Sequence, residues 1–321
     1  MKATVGINGF GRIGRSVFRI LSGRREYRVA AVNDIGDPLT LAYLLKYDTI
    51  RRVFEKEVVP RGDHLIVGGT ETRLLSERDP ARIPWGKMGV EVVVESTGRF
   101  RRREENARHL EAGARKVILT VPAKDKIDAT IVLGVNDEAL RPEHQIVSNA
   151  SCTTNCLAPV AKVLDRSFGI ERGLMNTIHA YTNDQRLADV PHKDLRRSRA
   201  ANENVIPTTT GAARAVGEVL PGLKGRLDGL AMRVPVPDGS VVDLTVLLRR
   251  PASVDEVNEA IRRAAEGPLR GILEYSSAPL VSSDVIGNAH SSIFDSLATQ
   301  RVGPNALKVI AWYDNEWGYA C

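Results

Sequence analysis

The chain has 321 residues, 43% of them hydrophobic and 26% charged, with a formal net charge of +6 and three cysteines. That length accommodates two domains with separate cores, and the composition is that of a globular protein, not a disordered or collagenous one. No apolar run reaches the roughly 20 residues that span a bilayer, and an odd, sparse set of cysteines is no disulfide framework. The opening Met1-Lys2-Ala3-Thr4-Val5 enters a strand at once and leaves no room for a signal peptide, so a cytoplasmic location is expected. The positive charge invites a nucleic-acid reading. Arg99, Arg101, Arg102 and Arg103, however, run directly into Glu104-Glu105 and a helical pattern, which reads as a solvated helix face. No zinc-finger, RNA-recognition or basic-aromatic pattern accompanies them. Neither nucleic acid nor a membrane is expected as a partner.

The first half alternates strand and helix. Val5-Gly6-Ile7 reads as a strand, Arg12 to Leu21 as a helix, and Val29 to Val32 as a second, fully apolar strand. Val90 to Val94 and Lys116 to Thr120 read the same way, with a helix over Glu104 to Ala112 between them. Continuous apolar strands with helical crossovers predict a parallel sheet covered on both faces. Between Phe54 and Leu75 the pattern changes to short antiparallel strands turning at Arg61-Gly62-Asp63 and Gly68-Gly69.

Between the first strand and its helix lies Gly9-Phe10-Gly11-Arg12-Ile13-Gly14, a G-x-G-x-x-G. Asp34 ends the second strand 34 − 14 = 20 residues beyond Gly14, close to the roughly 20-residue spacing of a dinucleotide fingerprint. Gly9 permits the tight turn, Gly11 lets backbone approach a pyrophosphate, and Gly14 lets helix and strand pack closely. Asp34 is placed to accept ribose hydroxyls and to repel a 2′-phosphate, which favours NAD over NADP. Ser96-Thr97-Gly98 follows another apolar strand, where such sheets bind ligands.

Near Asn149–Ser151 the pattern changes without a flexible linker. Gln145-Ile146-Val147 ends a strand, and Leu157, Val160, Ala161 and Leu164 form an apolar helical stripe. Cys152 stands where the two meet, among Ser148, Ser151, Thr153 and Thr154, hydroxyls that a dry core would not collect. A thiol at a helix N-terminus feels unpaired N–H groups and the positive end of the macrodipole, both of which favour the nucleophilic thiolate. Cys156, one turn on and in phase with the stripe, reads as an inert core thiol. No Cys or His cluster has zinc spacing, so no metal is expected. Arg226 to Val234 and Ser240 to Arg249 suggest an antiparallel sheet, backed by helices over Cys152 to Phe168, Gly211 to Val219 and Val254 to Glu266.

With these motifs in hand, the chain resembles the phosphorylating glyceraldehyde-3-phosphate dehydrogenases along essentially its whole length. The match is carried by Val5 to Arg15, by Ala150-Ser151-Cys152-Thr153-Thr154-Asn155-Cys156-Leu157-Ala158-Pro159, and by His179 with Tyr181 to Gln185. Asp194 to Arg197, Pro207 to Ala213, Met232 to Pro235 and Trp312 to Tyr319 extend it. The resemblance implies an α/β protein, with a Rossmann-type doubly wound parallel sheet over 1–150 and an α+β catalytic domain over 151–316 whose sheet is mostly antiparallel. Residues 317–321 would begin a C-terminal segment that returns to the NAD domain. Relatives continue there with a helix, so truncation at Cys321 is expected, and an intact mass of 35.1 kDa would contradict it.

The resemblance further implies NAD-dependent oxidation of glyceraldehyde 3-phosphate to 1,3-bisphosphoglycerate in glycolysis. Cys152 would form a thiohemiacetal and then a thioester, His179 would act as base, and inorganic phosphate would release the product. Thr182 and Arg233 would hold the substrate phosphate; Ser151, Thr153, Thr210, Gly211 and Arg197 would serve the attacking phosphate. Cofactor contacts would come from Gly9, Gly11, Arg12, Ile13, Gly14, Asp34, Arg78, Ser96, Thr97, Thr120, Asn315 and Tyr319. A homotetramer is implied, with Tyr181 to Asn204 reaching towards a neighbour's cofactor. The alternatives are an erythrose-4-phosphate dehydrogenase, an NADP-preferring biosynthetic relative, or a non-catalytic RNA-binding or scaffold protein. The intact Cys152 and His179 argue against the last.

Overall fold

The computed structural model describes residues 2–321. Its contacts divide into two compact units, one formed by residues up to Ile131 with Glu138–Ala150, the other by Val132–Asp137 with Ser151–Tyr319. The first contains strands β1 (Ala3–Asn8), β2 (Tyr27–Asn33), β3 (Tyr47–Asp48), β4 (Arg52–Val53), β5 (Val58–Arg61), β6 (His64–Val67), β7 (Thr70–Leu75), β8 (Val92–Glu95), β9 (Lys116–Leu119), β10 (Ala129–Thr130) and β11 (Ile146–Ser148). Helices α1 (Arg12–Ser22), α2 (Pro38–Lys46) and α3 (Arg103–Glu111) connect them.

Nine of these strands form one sheet in the order β10-β11-β9-β8-β1-β2-β7-β6-β5, with β3 and β4 a separate hairpin. From β10 to β7 all neighbours are parallel, and β5–β6–β7 are antiparallel. The chain leaves β1 towards β2 on one side and returns to β8 on the other, a doubly wound topology with its switch point between β1 and β8. Val5, Ile7, Val29 and Val32 are buried with Phe10, Phe18, Leu41 and Leu45, while Ala31 and Val93 pack with Ile83, Trp85 and Val90. The expected strand at Val90 begins only at Val92, because the Val90 N–H donates to the Trp85 carbonyl in a turn.

The second unit holds β12 (Ile170–Ala180), β13 (Ile206–Thr209), β14 (Leu227–Val234), β15 (Ser240–Leu248), β16 (Leu273–Ser276), β17 (Ser292–Val302) and β18 (Ala306–Tyr313). Their order is β13-β14-β12-β15-β18-β17-β16. The sheet is mostly antiparallel, but β12–β14 and β16–β17 run parallel. Helices α4 (Cys152–Phe168), α5 (Ala212–Val219) and α6 (Val254–Glu266) accompany it, and the short α7 (Trp317–Ala320) follows. Helix α4 runs on through Pro159. It starts where Ser151 caps it, accepting from the Thr154 N–H at 3.0 Å.

Candidate active site

In the first unit the glycine fingerprint occupies the turn from β1 into α1. Gly9 has φ +92°, and a Cβ there would lie 2.6 Å from the Thr97 nitrogen. A Cβ on Gly14 would lie 2.1 Å from the Gly9 oxygen and 2.9 Å from Ser96 Oγ. Both glycines are thus required by the fold itself. Gly11 differs: an added Cβ meets nothing within 4 Å, so packing does not demand glycine, whereas close approach of a ligand does. This is the cradle that a dinucleotide pyrophosphate fits.

Other predicted cofactor residues border the same turn. Ser96 Oγ donates to the Gly9 oxygen at 2.7 Å. Asp34 is half-buried, accepting from the N–H of Phe10 at 2.6 Å and of Gly36 at 2.9 Å. Arg12 pairs with Asp48, Ile13 is half-buried and Arg78 is exposed. The Thr120 hydroxyl donates to the Glu95 carbonyl at 3.1 Å. In the second unit, Asn315 and Tyr319 are buried, and Ser240 Oγ donates to Asn315 Oδ1 at 2.6 Å, which leaves the Asn315 amide as a donor.

Cys152 opens α4, and its Sγ lies 3.5 Å from Nε2 of His179 near the end of β12. One further side chain holds this pair in place. The Thr177 hydroxyl donates to the Val241 carbonyl at 3.1 Å, so it accepts from the Tyr313 hydroxyl at 2.9 Å. Tyr313 Oη in turn accepts from Thr153 at 2.8 Å. Tyr313 therefore links the first turn of α4 to β12, and its ring meets the His179 ring edge-on, with centroids 5.9 Å apart. Sequence reasoning did not assign it a role, although it lies within the Trp312–Tyr319 motif.

Opposing influences act on the Cys152 thiol. Burial pushes the Cys152 thiol up, and it outweighs the lowering by the Arg233 guanidinium and the Thr153 N–H and hydroxyl. Burial and then Arg233 push His179 down to about 3. Both shifts favour the uncharged thiol and imidazole. Cys156 is buried, its thiol 3.5 Å from the Ala311 carbonyl, and burial raises it strongly.

Around this pair stand donors suited to phosphate. Arg233 Nη1 lies 2.6 Å from His179 Nδ1, while its Nε is buried with no partner among the described residues. A buried, unmade donor is costly, and an anionic ligand would satisfy it. The Thr182 hydroxyl bonds to Asp184, which pairs with Arg197. Burial raises the Asp184 carboxyl, but Thr182, Arg197 and Arg233 together hold it below its usual value. Arg197 Nε donates to Thr208 Oγ1 at 2.9 Å. Ser151 Oγ is 2.7 Å from Thr154 Oγ1, which reaches the Ala212 carbonyl at 3.4 Å. That link brings the N-termini of α4 and α5 together, with Thr210 and Gly211 leading into α5. Two converging helix N-termini attract an anion.

The comparisons with known proteins agree along the whole chain. Residues 3–103 match the glyceraldehyde 3-phosphate dehydrogenase NAD binding domain, and residues 151–315 match the C-terminal domain of the same enzyme. The chain belongs to the glyceraldehyde-3-phosphate dehydrogenase family. It is 57% identical over 321 residues to the glyceraldehyde-3-phosphate dehydrogenase of Geobacillus stearothermophilus, covering 100% of this chain and 96% of the relative. The Priestia megaterium enzyme is 56% identical at the same coverage, and that of Mycobacterium avium is 57% identical over 327 residues, again covering 100% and 96%. Family membership makes the first unit's cofactor NAD. Among the described residues no helix is long and apolar enough to cross a membrane, and no group of three or more His, Cys, Asp or Glu is arranged to hold a metal ion.

Proposed function

We propose that this chain oxidises glyceraldehyde 3-phosphate with NAD and inorganic phosphate to 1,3-bisphosphoglycerate, with Cys152 carrying the acyl group. The observation that carries this reading is the 3.5 Å approach of Cys152 Sγ to His179 Nε2 beside the unpartnered Arg233 Nε. Cys152 Sγ bonds to the aldehyde carbon as its S–H proton passes to the carbonyl oxygen, giving a thiohemiacetal; the hydroxyl proton then passes to His179 Nε2 as the carbon is oxidised. NAD, when bound, accepts the hydride that this carbon gives up. Phosphate oxygen then attacks the thioester carbon and the Cys152 sulfur leaves. Thr182 and Arg233 hold the substrate phosphate, while Ser151, Thr153, Thr210, Gly211 and Arg197 serve the incoming one. The Cys152 N–H and His179 stabilise the oxyanion.

The Ala180 carbonyl only accepts; it takes a hydrogen bond from Arg233 Nη1 at 3.0 Å and lies 2.7 Å from His179 Nδ1. A proton on Nδ1 directed at this carbonyl leaves Nε2, which faces the sulfur, free as the base.

A homotetramer is part of this reading. On the second unit's sheet, exposed Leu174 and Leu230 line a depression of about 470 Å³ with Asp243 and Lys308, a surface suited to a second copy. A cytoplasmic location fits three cysteines that are all free. A paired assay tests the activity: glyceraldehyde 3-phosphate against erythrose 4-phosphate, each with NAD and with NADP. The highest kcat/KM is expected for glyceraldehyde 3-phosphate with NAD. Faster turnover of erythrose 4-phosphate, or a preference for NADP, would defeat the assignment.

A further inference from the structure

Helix α1 opens on the fingerprint turn, and Gly11 at its N-cap brings no side chain to cover the first turn. Arg12 is the first residue of the helix, so its side chain starts beside the N–H groups that a pyrophosphate meets at such a terminus. That side chain is not left loose. Arg12 Nη1 donates to Asp48 Oδ2, and the Asp48 side chain is only 7% exposed. Asp48 ends β3, and its other oxygen, Oδ1, accepts from the N–H groups of Ile50 and Arg51, both at 2.9 Å. The carboxylate therefore closes its own turn with one oxygen and holds Arg12 with the other. Burial pushes the Asp48 carboxyl up, but the Arg51 N–H, the Arg12 guanidinium and the Ile50 N–H together hold it below its usual value.

A second arginine anchors the same segment. Arg19 lies two turns further along the same face of α1 (19 − 12 = 7). It is buried, its Nη2 donates to the Leu45 carbonyl at 2.5 Å, and its guanidinium stands over the Phe54 ring, 4.9 Å from the centroid. The segment that carries β3 and β4 is thus fastened to α1 without Asp48, which leaves the Asp48 contact to serve Arg12. A guanidinium carries five N–H donors in one rigid plane. Gripping Nη1 sets the direction of the whole fork and reduces the entropy lost when a long side chain orders around an anion. We infer that Asp48 is a positioning residue for the cofactor's pyrophosphate: its carboxylate holds the Arg12 fork at the head of α1, ready to donate to phosphate oxygens. The inference rests on the NAD-binding reading of the fingerprint turn. A carboxylate near an anion site also repels the anion, and the two effects move affinity in opposite directions.

Calorimetric titration of the full chain with NAD+, ADP-ribose and adenosine provides the test. ADP-ribose keeps the pyrophosphate without the nicotinamide, and adenosine lacks both. Asp48→Asn keeps the size and an acceptor for the turn but loses the charge that grips Arg12. The dissociation constants of NAD+ and ADP-ribose are expected to rise about tenfold, the order of one hydrogen bond to a charged group, while that of adenosine stays in place. In an Arg12→Ala background the same substitution is expected to weaken ADP-ribose no further, because Asp48 acts through Arg12. Unchanged or tighter ADP-ribose binding in Asp48→Asn, or an equal loss in both backgrounds, overturns the inference alone. A wild-type chain that binds neither NAD+ nor ADP-ribose overturns the NAD reading beneath it. If Asp48→Asn does not fold, Arg12→Lys decides. It keeps the charge and a donor for Asp48 but not the fork that spans Asp48 and a phosphate, so ADP-ribose is again expected to weaken about tenfold, and undiminished affinity overturns the proposal.

Discussion

At the head of α4 the Cys152 thiol answers to neighbours far away in sequence. The segment around it locates the residue at a helix N-terminus and suggests a thiolate, yet burial and Arg233, 81 positions on (233 − 152 = 81), shape the outcome. Local sequence carries the first kind of information and not the second. Tyr313 makes the same point, because its partners Thr153 and Thr177 become visible only once β18 lies near β12 and α4. Tyr313→Phe removes both hydroxyl contacts and leaves Thr153 without an acceptor. Each such bond is worth about 1 kcal/mol, so a loss of about 1–2 kcal/mol in stability is expected. Because the link aligns Cys152 with His179, kcat is expected to fall more than KM rises. Denaturant melts with steady-state kinetics check this, and unchanged kcat would remove Tyr313 from the alignment.

At the scale of elements, α4 and α6 occupy the residues at which the sequence predicts helices. The parallel pairing of β12 with β14 was not legible, since alternation reveals a half-buried strand but not its neighbour's direction. The fingerprint turn offers a sharper test. Gly14→Ala forces a methyl against the Gly9 carbonyl and is expected to lower both Tm and NAD affinity. Gly11→Ala meets no protein atom and is expected to spare Tm while weakening NAD. Thermal melts with cofactor titrations separate the two, and equal Tm losses would contradict the cradle.

Acid stability belongs to this scale as well. Asp128 accepts from the N–H groups of Gln145 and Ile146 at 2.7 and 2.9 Å and pairs with Arg103. Burial raises its pKa, but these contacts prevail and lower it from 3.8 to about 2. A group depressed in the folded state stabilises it above the unfolded value, and that contribution fades as pH falls through the folded one. The wild type is therefore expected to lose Tm faster than Asp128→Asn as pH drops from about 4 towards 2. Parallel acid melts of the two chains would contradict this.

At the scale of the molecule, one unit binds NAD, and the other bears Cys152, the proposed carrier of an acyl group awaiting phosphate. The fold class and the family were legible because the motifs bearing them are short and contiguous. Covalent capture by Cys152 is tested by a phosphate-free reaction. With glyceraldehyde 3-phosphate and NAD but no phosphate, a burst of NADH of at most one per chain is expected, with an acyl adduct on Cys152 in the intact mass. Adding phosphate should release the adduct and restart turnover, and Cys152→Ala should give no burst while still binding NAD. Undiminished NADH production without phosphate, or in Cys152→Ala, would contradict the covalent mechanism.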